Sequence, residues 1–168
     1  MALWQNGAFV NDPWRHVAEG EDVPPAGHVI IPLDWWNAVR DIFAQSNAPV
    51  GVLLQPSESL DSIAKDISRL SLIALAFPSY TDGRSFSKAQ LLRERHQFSG
   101  ELRATGDILT DQLDMLDRCG FDSLEVSDPH TIKALQERSA WKQTLFYQPS
   151  VLAEIPAGQR PWLRRPAR

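Results

Sequence analysis

Between Leu72 and Val126 the sequence alternates short apolar runs with longer stretches of helical periodicity, and few folds accept that rhythm. Leu72-Ile73-Ala74-Leu75-Ala76-Phe77 has no polar residue, as a strand covered on both faces requires. A polar turn follows, and a helix is predicted from near Ser85 to about His96, with Phe86, Ala89 and Leu92 on one face. Glu101–Thr105 reads as the next strand. The helix after it has an apolar face of Leu109, Leu113 and Leu116, with Ile108, Met115 and Cys119 alongside. Gly120 stands where a helix C-terminus favours a left-handed residue, and Phe121 can supply the accompanying apolar contact. Ser123–Val126 is a further strand. Asp128 then caps a helix from Pro129 to about Glu137, with Pro129 at the favoured first position.

The same rhythm extends upstream. Val50-Gly51-Val52-Leu53-Leu54 is an apolar strand, and Leu60, Ile63, Ile67 and Leu70 recur at helical spacing behind a cap at Ser57. The intervening helix makes this a βαβ unit, so these two strands are expected to be parallel. His28-Val29-Ile30-Ile31 is predicted as a strand, followed by a helix over Asp34–Ala44 with Trp35, Val39, Ile42 and Phe43 as its stripe and Ser46–Pro49 as its end. Near the N-terminus, Asn6-Gly7 between Leu3-Trp4-Gln5 and Ala8-Phe9-Val10 is the dipeptide best suited to a type I′ hairpin. Trp14 and Val17 are expected to continue that hairpin or pack beneath it. Thr144–Tyr147 is a last strand candidate. The fold class is therefore α/β: repeated β-α units forming a mainly parallel sheet or partial barrel, with an N-terminal β-hairpin. The units are too few for a complete eight-stranded barrel.

At 168 residues the chain is long enough for one domain with a real core. The expected divisions are a hairpin and acidic loop over 1–27, an α/β domain over 28–152 and a basic tail over 153–168 that includes Trp162. The net charge of −4 does not favour general nucleic-acid binding. Four arginines and no acids follow Ala157, so the remainder is considerably more acidic. A single cysteine, Cys119, excludes an intrachain disulfide and any all-cysteine metal site, which suits a reducing cytoplasm. No stretch approaches the ~20 apolar residues of a membrane span, and the first residues lack a basic, then apolar, leader pattern. A cytoplasmic location follows as an expectation.

The chemistry concentrates in the first turn. Gly83 offers unusual backbone freedom, the following helix N-terminus offers free N–H groups, Arg84 adds a cation, and Ser85 and Ser87 add donors. Such a turn can hold a small oxyanion or a carboxylate. The plainer alternative has Asp82 or Ser85 capping the helix and Arg84 paired with Asp82 or Asp107. If the strands are parallel, the Ser79–Arg84 turn and Thr105-Gly106-Asp107 share one edge, the ligand-facing edge of such sheets. Arg103 lies within a strand; pointing inward, it needs Asp107, Glu125 or Asp82 as partner. Asp107 is a candidate proton acceptor or a helix cap, as is Thr110 for the cap. Gln112 reads as a surface residue. His16, His28, His96 and His130 show no metal-ligand spacing, so no metal is expected. There is no phosphate-binding P-loop, dinucleotide fingerprint or nucleophile elbow. Cys119, on an apolar stripe, reads as an inert thiol.

Phe77–Arg84, Leu91–Arg95, Gly100–Asp107, Asp111-Gln112 and Cys119–Asp122 together resemble a bacterial family catalogued as domain of unknown function 934. The dense likeness covers roughly residues 72–126, within a weaker pattern over about 50–150. The resemblance implies a genomic setting: members are typically encoded beside assimilatory sulfite reductase and sulfate-activation enzymes. It establishes no catalytic residue. It directs attention to Asp82, Gly83, Arg84, Arg93, Arg103, Asp107 and Gln112, with Ser87 added from the turn itself. Ser79 and His96-Gln97 depart from the family pattern. The expected function is an accessory protein of sulfate and sulfite reduction that binds a small oxyanion or a partner such as sulfite reductase. The alternative is a stand-alone α/β enzyme using the same edge, an oxidoreductase only if it borrows a cofactor. No cofactor is evident in the sequence.

Overall fold

The computed structural model describes residues 1–18, 20–21, 27–43 and 48–137. The strand candidate at 144–147, the basic tail, and most of the acidic loop and of the stretch ending the first helix lie outside the described residues.

Eight strands form one sheet in the order β2-β1-β8-β7-β6-β5-β4-β3. They are β1 (Ala2–Gln5), β2 (Ala8–Val10), β3 (Trp14–His16), β4 (His28–Pro32), β5 (Val50–Leu54), β6 (Leu72–Phe77), β7 (Glu101–Gly106) and β8 (Ser123–Val126). β3 to β8 run parallel, whereas β1 is antiparallel to both β2 and β8. The N-terminal hairpin is present as expected, with Asn6 at φ 52° and Gly7 at φ 86°, the two positive values that a type I′ turn requires.

Trp14 departs from expectation. It neither extends the hairpin nor packs beneath it, but opens β3, which pairs with β4 at the far edge of the sheet. Pro13 cannot donate to a hairpin ladder, and Asp12 Oδ1 accepts the Trp14 N–H at 2.9 Å, turning the chain away. The consequence is global. In a flat sheet, β2 and β3 would lie about 34 Å apart, at about 4.8 Å per strand spacing. Only Asn11-Asp12-Pro13 joins them, and four residue steps reach at most about 14 Å. The sheet therefore curls into an incompletely closed barrel.

The outer face carries the large core. Val29, Val52, Ile73, Leu75, Leu102 and Leu124 point outward into a layer that includes helices α1 (Leu33–Phe43), α2 (Arg84–Glu94), α3 (Leu113–Arg118) and α4 (Pro129–Glu137). On α1 the buried stripe is Leu33, Trp36, Val39 and Phe43. Ile42 faces outward and Trp35 is only partly buried, contrary to the sequence reading. Trp36 turns inward because its indole N–H finds an acceptor, Asp66 Oδ2, at 3.0 Å. The predicted helix over 60–70 is instead two 3₁₀ turns, Leu60–Ser62 and Ile67–Arg69. Its four apolar residues are buried as expected, but i→i−3 bonds such as Asp66 N to Ile63 O replace most of the helical ladder. Ser59, rather than Ser57, caps the first turn. α3 ends as predicted: Gly120 N donates to Asp117 O and Phe121 N to Leu116 O, with Gly120 at φ 86°. Asp128 caps α4 by accepting the Thr131 N–H.

Candidate functional site

The C-terminal ends of β6 and β7 carry two turns that are bolted together. Gly106 has φ 111°, and a Cβ placed there would lie 2.4 Å from Phe77 O. Glycine alone allows this approach, which lets Asp107 N donate to Phe77 O at 2.7 Å. The Asp107 carboxylate then accepts the Tyr80 N–H at 3.1 Å. From beneath, Gln112 Nε2 donates to Tyr80 O at 3.0 Å, while its Oε1 accepts the Leu109 N–H. Both backbone groups of Tyr80 are thus fixed by side chains from the neighbouring loop. The Tyr80 side chain itself is 54% exposed.

Beside it, Arg84 and Asp82 form a two-point pair, Nε to Oδ1 at 2.9 Å and Nη2 to Oδ2 at 2.7 Å. Hydrogen bonding from Arg84 brings the Asp82 carboxyl down to about 2, and Asp82 in turn raises the Arg84 guanidinium. Gly83 is not the special conformer expected of it: at φ −83° it adopts a backbone open to any residue. Asp82 accepts the Arg84 N–H without capping the helix in the usual sense, and Ser85 is buried, donating to Ala76 O at 2.6 Å. Ser87 stands exposed on α2.

The structure therefore brings Asp82, Gly83, Arg84, Asp107 and Gln112 to one edge. Asp107 caps no helix there, since the 3₁₀ turn Thr110–Gln112 that leads into α3 is entered from Leu109. Gln112 is buried rather than a surface residue, because its amide is the strut between the loops. Arg93 lies at the opposite end of the strands. It donates to the carbonyls of Phe98, Gly100 and Gly120 and pairs with Asp122, which also accepts Leu102 N. Its donors are spent on the loops that enter β7 and β8, a structural task.

Arg103 is inside the curl. In register with it on the concave face are Ala74 of β6 and Ser123 of β8. Its guanidinium has no exposed surface, and it meets three carboxylates: Asp12 at 2.7 Å, Glu101 at 2.8 Å and Glu125 at 2.8 Å. Of the three partners anticipated, Glu125 is correct; Asp82 and Asp107 are held at the outer edge. Burial opposes the Arg103 charge, yet its hydrogen bonds to Asp12 and Glu125 and the nearby Glu101 raise its pKa. Burial likewise opposes the Glu125 charge. Hydrogen bonds from His16 and Thr105, with Arg103 behind them, overcome that and hold Glu125 down to about 2. Thr105 Oγ1 donates to Glu125 at 2.6 Å, Ser123 Oγ to Glu101 at 2.6 Å, and His16 Nε2 lies 2.9 Å from Glu125.

Asp12, His16, Glu101, Thr105 and Ser123 escaped the sequence reading as members of this cluster. The available signal was the polar alternation Glu101/Arg103/Thr105 and Ser123/Glu125, which puts five polar groups on one face of two adjacent strands. Asp12 and His16 had no such signal, because only the curl brings them across. Among the described residues, no three His, Cys, Asp or Glu side chains are grouped as a metal would need.

A family model described as a bacterial protein of unknown function, DUF934, matches residues 51–157, more than half of the chain. The chain belongs to this family. No curated protein matches it. The matched span contains both bolted turns, Arg103 and Glu125, whereas Asp12 and His16 come from outside it. Among the described residues of this family member, no helix is long and apolar enough to cross a membrane.

Proposed function

We propose that this protein is a cytoplasmic accessory protein of assimilatory sulfate and sulfite reduction, docking on a partner enzyme through the turn between β6 and α2. The observation that carries the docking surface is the exposed Tyr80 on a backbone fixed at both its N–H and its C=O by Asp107 and Gln112. Tyrosine and arginine are the side chains that most often dominate binding energy. A backbone already held in place removes part of the ordering cost of association. Arg84, 62% exposed, stands beside Tyr80 and, among the described residues, pairs with one carboxylate, Asp82. An acidic group of the partner can join Asp82 there at little desolvation cost, because the Arg84 guanidinium is already in water.

Sulfite reductase is the first partner to test, on the genomic setting that the family resemblance implies. This reading gives Arg84 an acidic protein surface rather than a free oxyanion, because the exposed Tyr80 beside it offers an aromatic contact that a small ion would not use. The test is a binding measurement between the purified full-length protein and sulfite reductase. Wild type is expected to bind, and Tyr80→Ala and Arg84→Glu to weaken binding at least tenfold with unchanged melting temperature. Binding that survives both substitutions would remove the turn from the interface. No binding by the wild type would remove sulfite reductase as partner. A parallel thermal-shift panel with sulfite, sulfate and phosphate should show no stabilisation that depends on Arg84.

A further inference from the structure

At the end of the strands opposite Tyr80, the loop that follows α2 faces the 3₁₀ segment that follows β5. Between them lies a groove of about 370 Å³, within the size range of small-molecule sites. Ile67, Leu70 and Phe98 line it and are buried, which gives it an apolar floor. Ser68, His96, Gln97 and Ser99 supply the polar groups of its walls. Among the described residues, none of these four side chains has a hydrogen-bond partner.

Both walls are held by ionic side chains that are not part of the lining. Arg93 donates to the carbonyls of Phe98 and Gly100. Asp66 accepts the Trp36 indole N–H and pairs with Arg40 and Arg69. The backbone of the groove is thus set before any ligand arrives, which lowers the ordering cost of binding. Gln97 adds a second, independent observation. It has φ 50°, and the next N–H, that of Phe98, turns back to Leu92 O at 2.9 Å. A left-handed residue at a helix end is usually glycine, which adopts that conformation without steric cost. Glutamine forgoes that ease and instead places a primary amide, donor and acceptor together, at the groove.

The lining narrows the ligand. It holds no Asp, Glu, Lys or Arg, so nothing in it pairs with an ion. α2 ends here, and the partial negative charge of a helix C-terminus disfavours an anion. Hydroxyl, imidazole and amide groups can both donate and accept. An apolar floor between such walls matches a ring with apolar faces and a hydrogen-bonding edge. A glutamine amide pairs at two points with the edge of a nucleobase. We propose that this groove binds an uncharged heterocycle of nucleoside size, at a site separate from the docking turn.

The test is a titration of the full-length protein with adenosine, cytidine and uridine, followed by the His96 ring and Gln97 side-chain amide signals. At least one nucleoside should move both saturably, and sodium sulfate should move neither. Gln97→Gly relieves the left-handed backbone and should melt no lower than wild type, yet bind roughly tenfold more weakly, the loss of about one hydrogen bond. Ser68→Trp, at an exposed position on the facing wall, should block the groove and abolish the response. Tyr80→Ala should leave it unchanged. No saturable response to any of the three nucleosides would overturn the proposal. So would wild-type affinity in Gln97→Gly or Ser68→Trp, or a loss in Tyr80→Ala, which would move the ligand to the other end of the strands.

Discussion

Two arginines of this chain hold carboxylates in opposite surroundings. Arg84 pairs with Asp82 on an exposed turn, within two residues of chain. Arg103 is fully buried and gathers acids from β7, from β8 and from the linker between β2 and β3. The first pair is local and its guanidinium is 62% exposed, so water screens its attraction and can solvate Arg84 alone. The second sits where a stranded charge has no water to turn to. Similar contact distances thus carry unequal consequences: the interior cluster is part of the frame, whereas the turn is where the proposed partner would exchange contacts.

The sharpest way to break the comparison is to remove each cation in turn. Arg103→Ala leaves three carboxylates without their common partner and is expected to cost about 3–5 kcal/mol, read by urea denaturation. A loss no larger than that of Arg84→Ala would erase the distinction.

Acid titration probes the same cluster. Glu125 is held at about 2 against an ordinary 4.5. Its contribution is therefore fully present above the ordinary value and is lost as pH falls from there toward about 2. The amount is of the order of 3 kcal/mol. Glu125→Gln should be less stable at neutral pH yet flatter across that acid window. Equal slopes for the two proteins would mean that other carboxylates drive acid unfolding.

A third test targets the bolt between the turns. Gly106→Ala sets a methyl group against Phe77 O at a left-handed backbone position and should cost about 1–3 kcal/mol. The Tyr80 amide, held through Asp107, should exchange faster with solvent. Retained protection at Tyr80 would show that Gln112 alone holds the turn.

The smallest stability effect is expected at the exposed pair. Arg84→Ala should leave the melting temperature within experimental error, at low and at high salt, while partner binding falls. A clear drop in melting temperature would make the pair a structural cap.

Much of the frame was legible in the chain. The apolar runs of β5 and β6 announce buried parallel strands, Asn6-Gly7 announces the hairpin, and Gly120-Phe121 announces the end of α3, because each depends on neighbours a few residues away. The α1 stripe was misread because Val39 and Phe43 fit two stripes, one through Trp35 and Ile42 and one through Leu33 and Trp36, and the choice fell to Asp66, 30 residues downstream of Trp36. At the site, Asp82 with Arg84 was readable as a local pair. Gln112 was not, since its role as a strut exists only once β6 and β7 are adjacent.

Sequence by itself determined the parallel β-α order and the position of the polar turn at the C-terminal end of β6, since periodicity and turn chemistry are short-range. Tertiary structure alone decided what faces Arg103. The three residues between β2 and β3 cannot span a flat sheet, so the sheet curls. That curl carries Asp12 and His16, 91 and 109 residues distant in sequence from Arg103 and Glu125 respectively, into contact with them. No local pattern encodes that meeting, because it results from closing a surface rather than from the preference of any one segment.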